Sequence, residues 1–395
     1  MERRRRSVGP NLFSKFLTMR LERLTIINYK NIEQASLTFS PEINCLYGAN
    51  GMGKTNVLDA IYYMSRLRSA GLTLDEQNVR HGAENFLLKG NYVTEDGTRK
   101  DVSCGYQKGH KSVKVNDKAV RRFSEHLGNI PLVMISPSDS QLVSGGSAER
   151  RRFLDATLSQ HDVSYLEAIM RYDKTLHQRN ALLKKSAEHG TPIDSALMDV
   201  LENMMEQDAA VIYDRRRAFL NVFVPIFQEV YANLSNVERE EVTINYLSQA
   251  ERGPLHELFA QGRAKELIVG YSLYGPHKDD LEFQLCGYPL RREGSQGQTK
   301  TYSIALKIAQ FAYLKNCGRA VTPILLLDDI FDKLDEGRVR KIVSYTTDSS
   351  FGQVFITDTS RERMCSLIRL SRREARLFYV SEGTIEGETL ETSES

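Results

Sequence analysis

The sequence has 395 residues, room for two or three domains of ordinary size. Its 41 % hydrophobic and 26 % charged residues exclude a disordered, collagenous or rod-like chain, and no apolar run approaches the ~18 residues of a membrane span. The net charge of +2 means that a polyanion must be met by local basic clusters. The five cysteines are scattered without a Cys-x-x-Cys pair, which argues against a disulfide framework or zinc site and fits a reducing cytoplasm.

In chain order, residues 1–18 read as an appendage with a basic start, and a fold-like pattern opens at Met19. Leu24, Ile26 and Asn28, then Ala35, Leu37 and Phe39, alternate with their neighbours and predict two half-covered strands. Ile43 to Tyr47 is a buried strand that runs into a glycine-rich turn, followed by a helix carrying Val57, Leu58, Ile61 and Met64. Asn116-Asp117 marks a hairpin flanked by lysines. Residues of about 150–185 and 195–235 have helical spacing: Tyr165, Ile169, Tyr172, Leu176 and Leu183 in the first, Leu197, Leu201, Met204, Val211, Ala218 and Val222 in the second. Pro225 is expected to kink or end the second helix. The pair forms either a packed helical subdomain or a short arm gripping a partner, with too few heptads for a long coiled coil. Strand signals return at Leu281–Leu285, Ile324–Leu327 and Val354–Thr357 with helices between them, so the helical segment reads as an insertion into one α/β core. The expected division is an appendage (1–18), a first head half (19–140), a helical insertion (141–264), a second head half (265–380) and a solvated acidic tail (381–395).

Gly48-Ala49-Asn50-Gly51-Met52-Gly53-Lys54-Thr55 is a P-loop between a strand and a helix. Its glycines let backbone N–H groups curl around a phosphate, Lys54 brings a cation to the β/γ-phosphates, and the Thr55 hydroxyl ligates Mg²⁺. Ile324-Leu325-Leu326-Leu327 is a buried strand that delivers Asp328 and Asp329 at its C-terminal end. Asp328 is expected to hold Mg²⁺ and Asp329 to orient or deprotonate the attacking water, so Lys54 and Asp329 are the catalytic candidates.

Ser295-Gln296-Gly297-Gln298, ahead of a helix with Ile304, Leu306, Ile308 and Ala309, resembles the signature motif of ABC-type ATPases. In that family the serine, the glycine and the helix N-terminus contact the γ-phosphate held by the opposite subunit. Asp332-Lys333-Leu334-Asp335 resembles the family's D-loop. The P-loop form through Asn56, with Ser136-Pro137-Ser138-Asp139, Arg150-Arg151-Arg152-Phe153-Leu154-Asp155, Gln178-Arg179-Asn180 and Tyr274-Gly275-Pro276-His277-Lys278-Asp279-Asp280, is similar to the RecF family of recombination mediators, from Met19 to about Val380. Ser147 stands where the family usually has proline, and Asp332 where it has serine or alanine. The resemblance implies an α/β, ABC-type P-loop ATPase head with an inserted helical subdomain. It also implies a weak Mg²⁺-dependent ATPase that dimerises on ATP, binds single- and double-stranded DNA at gaps, works with RecO and RecR in the cytoplasm and serves replication, repair and SOS induction. A transporter ATP subunit and a nuclease-linked SMC-like head are the alternatives.

Lys108, Lys111, Lys114, Lys118, Arg121 and Arg122 cluster around one hairpin, as a DNA patch or a solvated charged face. Arg150, Arg151 and Arg152 open the insertion, as ion pairs or phosphate contacts. Lys30 is a basic residue near nucleotide or DNA, or an exposed loop lysine. Gln141 or Asp139 occupies the glutamine-loop position, and Thr357-Asp358-Thr359 the switch loop, where a polar side chain would sense the γ-phosphate.

Overall fold

The computed structural model describes residues 17–71, 74–235, 240–317, 321–331, 336–346 and 348–389. A six-stranded sheet lies at the centre, in the order β16 (Thr384–Thr389), β15 (Ala375–Ser381), β3 (Ile43–Tyr47), β14 (Val354–Asp358), β13 (Ile324–Asp328) and β8 (Leu132–Ile135). Every pairing except β15 with β16 is parallel. The register sets Asp358 beside Tyr47 and Asp328 beside Thr357, so the C-terminal ends of these strands gather at one edge. Crevices at that edge are where open parallel sheets bind ligands.

Alternation along each strand feeds two separate cores. Leu325, Leu327, Val354 and Ile356 face one, and Ile324, Leu326 and Phe355 face the other. With both faces covered, these strands read as unbroken apolar runs. The second core contains α1 (Lys54–Arg66) and a seven-stranded sheet of β1 (Leu17–Tyr29), β2 (Ile32–Thr38), β4 (Asn85–Thr94), β5 (Arg99–Gln107), β6 (His110–Val115), β7 (Lys118–Ala119) and β12 (Val321–Thr322), antiparallel except where β12 runs parallel to β1. The β6–β7 turn carries Asn116 and Asp117 at φ 49° and 62°, the conformation the hairpin signal anticipates. Strand β1 opens at Leu17, and Leu17 and Thr18 already pair with Val321 and Thr322, so the fold takes in the last two residues of the expected appendage.

The first core holds the helices: α2 (Gln141–Ser144), α3 (Ser147–Leu158), α4 (Val163–His189), α5 (Ser195–Leu234), α6 (Leu255–Val269), α7 (Leu290–Glu293), α8 (Gln296–Cys317), α9 (Glu336–Thr346) and α10 (Arg361–Ser371). Helices α4 and α5 form an antiparallel pair, with Arg171 bridging to Asp208 and Arg179 to Glu202. The pair packs into the body of the molecule and is not a free arm, since α5 lies along α8 through Phe227 and Tyr231 against Tyr302.

Four sequence expectations change. On α5 the buried face is Met198, Met205, Ile212, Phe219 and Phe223, while Leu197, Met204, Val211 and Val222 are exposed. Of the two outcomes expected at Pro225, a kink or an end, the end does not occur: α5 continues to Leu234. An internal proline costs about 3 kcal/mol. Burying Phe223, Phe227, Val230 and Tyr231 on either side returns ~1.5–3 kcal/mol per large side chain, so packing outweighs the break. Strand β10 (Asp280–Leu285) leaves the head sheet and joins β9 (Val242–Leu247) and β11 (Tyr288–Pro289) in a small sheet against α3 and α7. Ser381 to Thr389, expected as solvated tail, closes the edge hairpin β15–β16, where Glu388 meets Arg361 at 3.0 Å. Charged edge strands of this kind resist unwanted pairing. Glu391 and Glu394 lie outside the described residues.

Buried arginines knit the helical lobe. Arg216, 1 % exposed, reaches Asp155, Asp279, the Tyr165 hydroxyl and the Pro276 carbonyl. Arg179, fully buried, binds Glu202, Glu266 and the Ser272 hydroxyl. These cations are matched by carboxylates, the condition for tolerating buried charge.

Candidate nucleotide site

The turn from β3 into α1 builds an anion cradle. Gly48, Gly51 and Gly53 have φ of 151°, 80° and 114°. A Cβ on Gly48 would lie 2.2 Å from the Val380 carbonyl oxygen, and one on Gly53 2.8 Å from Asn31, so both positions require glycine. Asn31, in the β1–β2 turn, donates to the Met52 carbonyl at 3.1 Å and accepts from Asn56 at 2.7 Å. Gly383 N–H donates to the same Met52 carbonyl at 3.0 Å, and Asn50 stays exposed at the tip. No side chain caps α1 and no acidic residue sits in its first turn, which leaves its positive end open to an anion.

Lys54 is 6 % exposed and its Nζ donates to the Gly48 and Ala49 carbonyls, both at 2.8 Å. Burial pulls its pKa below the usual lysine range, and the nearby Asp329, Asp328 and Asp358 oppose that shift. Thr55 Oγ1 donates to Asp328 Oδ1 at 2.9 Å and so joins the P-loop to the acidic strand. Burial raises the Asp328 pKa, against the stabilising hydroxyls of Thr357 and Thr55. One hydroxyl and one carboxylate are hard oxygen donors that suit Mg²⁺ completed by phosphate oxygens and water. Asp329 follows with φ 47°, a left-handed conformation costing a non-glycine residue about 1–2 kcal/mol. It turns the chain so that Ile330 and Phe331 are buried.

The signature segment opens α8. Ser295 N–H donates to the Gln298 side chain at 2.9 Å and Ser295 Oγ accepts from Gln298 N–H at 3.2 Å, a reciprocal cap that holds the serine exposed at the helix start. The Gln298 amide also donates to Glu240 at 2.8 Å. At Gly297 a Cβ would meet the Arg338 guanidinium at 2.5 Å, so the turn is held close against α9. The D-loop segment Asp332–Asp335 lies outside the described residues.

The family model described as RecF/RecN/SMC N terminal domain matches residues 20–385. A DNA replication and repair protein RecF of Phocaeicola vulgatus is 48 % identical over 368 residues, 93 % of this chain and 98 % of that protein. The protein of the same name in Bacteroides thetaiotaomicron is 47 % identical over the same length, again 93 % of this chain and 98 % of its own. The solved structure of the recombination mediator RecF with ATP superposes at a TM-score of 0.83 with 28 % identity, covering 95 % of this chain and all of that one. An SMC head from Pyrococcus furiosus, at 16 % identity and a TM-score of 0.55, over 94 % of this chain and 96 % of its own, shares the fold. The chain belongs to the RecF family. It has that family's ABC-type ATPase fold.

Against this RecF frame the basic candidates separate. Lys111 turns inward, to Asp75 at 2.7 Å and the Leu67 carbonyl at 2.6 Å, over the Tyr63 ring. Arg150 is 6 % exposed and forks onto Asp280 at 2.6 and 3.0 Å. Arg151 donates to the Asp279 carbonyl at 2.7 Å. These three are engaged with partners inside the chain. Lys114, Lys118, Arg121 and Arg122 stay exposed, and Lys108 is exposed with Glu84 at 3.6 Å. The cluster is also split along the sheet. The Lys108-Gly109 turn lies at the end where β1 finishes beside the P-loop, whereas the Asn116–Asp117 turn sits level with Arg23 midway along β1.

Lys30 is neither a free loop lysine nor a bare contact: it pairs at 2.6 Å with the buried Asp59, which also takes the Tyr29 hydroxyl and Ser69. Asp139 caps its own turn at the Ser136 N–H and pairs with Lys307 at 3.4 Å, while Gln141 is exposed. Asn31 and Gly383, which brace the P-loop, carry no sequence signal because the groups they meet, the Met52 carbonyl and for Asn31 also the Asn56 amide, are distant in the chain. Arg80 and His81 line an open groove with Tyr106 and Lys108 and were outside every motif.

Proposed function

We propose that this chain binds ATP and Mg²⁺ at the P-loop, hydrolyses ATP slowly, and uses nucleotide as a dimerisation switch on DNA. The observation that carries this reading is the Thr55–Asp328 bond, which ties the phosphate loop to the acidic strand at the ligand edge of the sheet. When bound, Mg²⁺ supplies Lewis-acid stabilisation of the transferring phosphoryl group. The chain's own residues position it: Thr55 and Asp328 hold the metal, Lys54 exchanges its two carbonyls for phosphate oxygens, and the P-loop amides hold the anion. Asp329 orients the attacking water. Ser295, whose Oγ already accepts from Gln298, keeps its hydroxyl proton to donate outward to the γ-phosphate of a second copy.

The relatives are named for DNA replication and repair, and the structural neighbours for the RecFOR pathway. This chain accordingly acts at DNA gaps in the cytoplasm, with RecO and RecR as partners. No described helix is long and apolar enough to cross a membrane. The exposed Lys108, Lys114, Lys118, Arg121 and Arg122 supply the DNA contacts. The deciding experiment measures mass by light scattering and DNA binding by anisotropy on one sample, with and without Mg²⁺-ATP. The unaltered chain doubles in mass and tightens on gapped DNA with nucleotide. Ser295→Arg still binds ATP but stays monomeric; a Ser295→Arg dimer with normal turnover removes the signature from the interface.

A further inference from the structure

We propose that Thr357 is a positioning residue for ATP hydrolysis, holding both acidic residues of β13 from the neighbouring strand; this rests on the nucleotide reading above. The parallel register sets Thr357 directly beside Asp328. Its hydroxyl donates to Asp328 Oδ1 at 2.8 Å and accepts from the Asp329 backbone N–H at 2.9 Å. One hydroxyl has one proton and two lone pairs, so both bonds are made at once. Thr357 itself is fully buried.

The two bonds do different things. The first places the Thr357 proton on the same carboxylate oxygen that Thr55 holds, which fixes the rotation of Asp328 and leaves Oδ2 outside this pair of bonds. The second anchors the N–H of Asp329, whose φ of 47° is a conformation a non-glycine residue leaves unless it is held. Of the three switch-loop residues Thr357-Asp358-Thr359, each a candidate phosphate sensor, Thr357 therefore faces its own strand neighbours and Thr359 is the exposed one. Asp358 is not a free sensor, since it is buried and taken by Arg363 at 2.7 Å and Ser360 N–H at 2.8 Å. Any movement of β14 against β13 would be felt at the Asp328 carboxylate and the Asp329 backbone together.

The test compares Thr357→Val, which keeps shape and loses the hydroxyl, with Thr357→Ser, which keeps the hydroxyl and loses the methyl. In Thr357→Val the turnover number falls about 10- to 100-fold, as misplacement of a reacting group does. KM and ATP affinity stay within about twofold, because the ground-state phosphate contacts are untouched. Thr357→Ser restores most of the rate. Amide hydrogen exchange of the nucleotide-free protein gives a second readout: the peptide containing Asp329 exchanges faster in Thr357→Val and normally in Thr357→Ser. Unaltered turnover in Thr357→Val overturns the proposal, as does a Thr357→Ser variant as slow as Thr357→Val, or unchanged exchange at Asp329. Absence of ATP turnover in the unaltered chain overturns the nucleotide reading and this role with it.

Discussion

The head and the helical lobe both bury cations, and Lys54 in the head is treated in the opposite way to Arg216 and Arg179 in the lobe. Lys54 donates to two backbone carbonyls, with Asp328, Asp329 and Asp358 only near enough to be felt. Arg216 and Arg179 are saturated by carboxylates, hydroxyls and carbonyls from three or more segments of chain. Neutral carbonyls are easily exchanged for phosphate oxygens, whereas a saturated guanidinium has nothing to exchange. The loosely held Lys54 fits a ligand site, and the fully held Arg216 and Arg179 fit structural joints.

Crossed substitutions test that contrast with the largest effects. Lys54→Ala removes a charge-assisted contact worth about 1.5–3 kcal/mol, so calorimetry should show ATP binding weakened ~10- to 150-fold. Its melting temperature should hardly move, since no buried carboxylate loses its partner. Arg216→Ala should do the reverse. It strands Asp155 and Asp279, and breaking a buried pair this way costs about 3–5 kcal/mol. Chemical unfolding should report the loss, while ATP binding to the folded fraction persists. Equal effects of both substitutions on both readouts would erase the distinction.

The same contrast explains what the sequence discloses. The P-loop, Asp328, Asp329 and Ser295 are legible because their chemistry depends on short spacing along the chain. Thr357, Asn31 and the arginine joints depend on which distant segments meet, and one sequence does not state that. Helix α5 shows the limit in another form. It carries two apolar stripes, Leu197-Met204-Val211 and Met198-Met205-Ile212, offset by one residue. Periodicity alone cannot rank them; Phe219, Phe223 and Phe227 packing toward Tyr302 and Tyr313 decide it. The acidic C-terminal stretch reads as tail because Glu382 and Glu386 are exposed, whereas the partners that order it, Arg361 and Tyr47 on Glu388 and the core against which Ile385 packs, lie far off in the chain or on another strand.

For DNA, the contrast predicts that only the exposed cations count. Lys114→Glu with Lys118→Glu should weaken binding to all sequences alike, since phosphate contacts carry no base information. Each lost phosphate contact should flatten the slope of log affinity against log salt by about 0.9 on duplex DNA. Arg150→Gln, by contrast, should lower the melting temperature through Asp280 and leave the salt slope unchanged. An altered slope in Arg150→Gln would return that residue to the DNA interface.

The smallest expected effect concerns the Gly275-Pro276-His277 turn that joins the lobe's arginine lattice. The Tyr172 hydroxyl lies 2.8 Å from His277 Nδ1, and Nε2 lies 3.2 Å from the Ser272 carbonyl. A carbonyl only accepts, so Nε2 donates and Nδ1 accepts from the tyrosine, which fixes a neutral ring. Burial lowers the His277 pKa to about 4, and Lys278, Arg151 and Arg179 add to the shift, while the Ser272 carbonyl opposes it. An unfolded histidine titrates near 6.5, so between about pH 6.5 and about pH 4 the unfolded chain holds a proton that the folded lobe does not. This residue's contribution to stability is therefore complete above that window and declines as pH falls through it. His277→Gln, which keeps a donor and an acceptor but no titrating group, should show a shallower loss of stability on acidification when denaturant midpoints are compared across the window. Identical pH profiles for the two proteins would mean that His277 is protonated in the folded lobe, and that the turn, like Lys54, holds its charge more loosely than the arginines beside it.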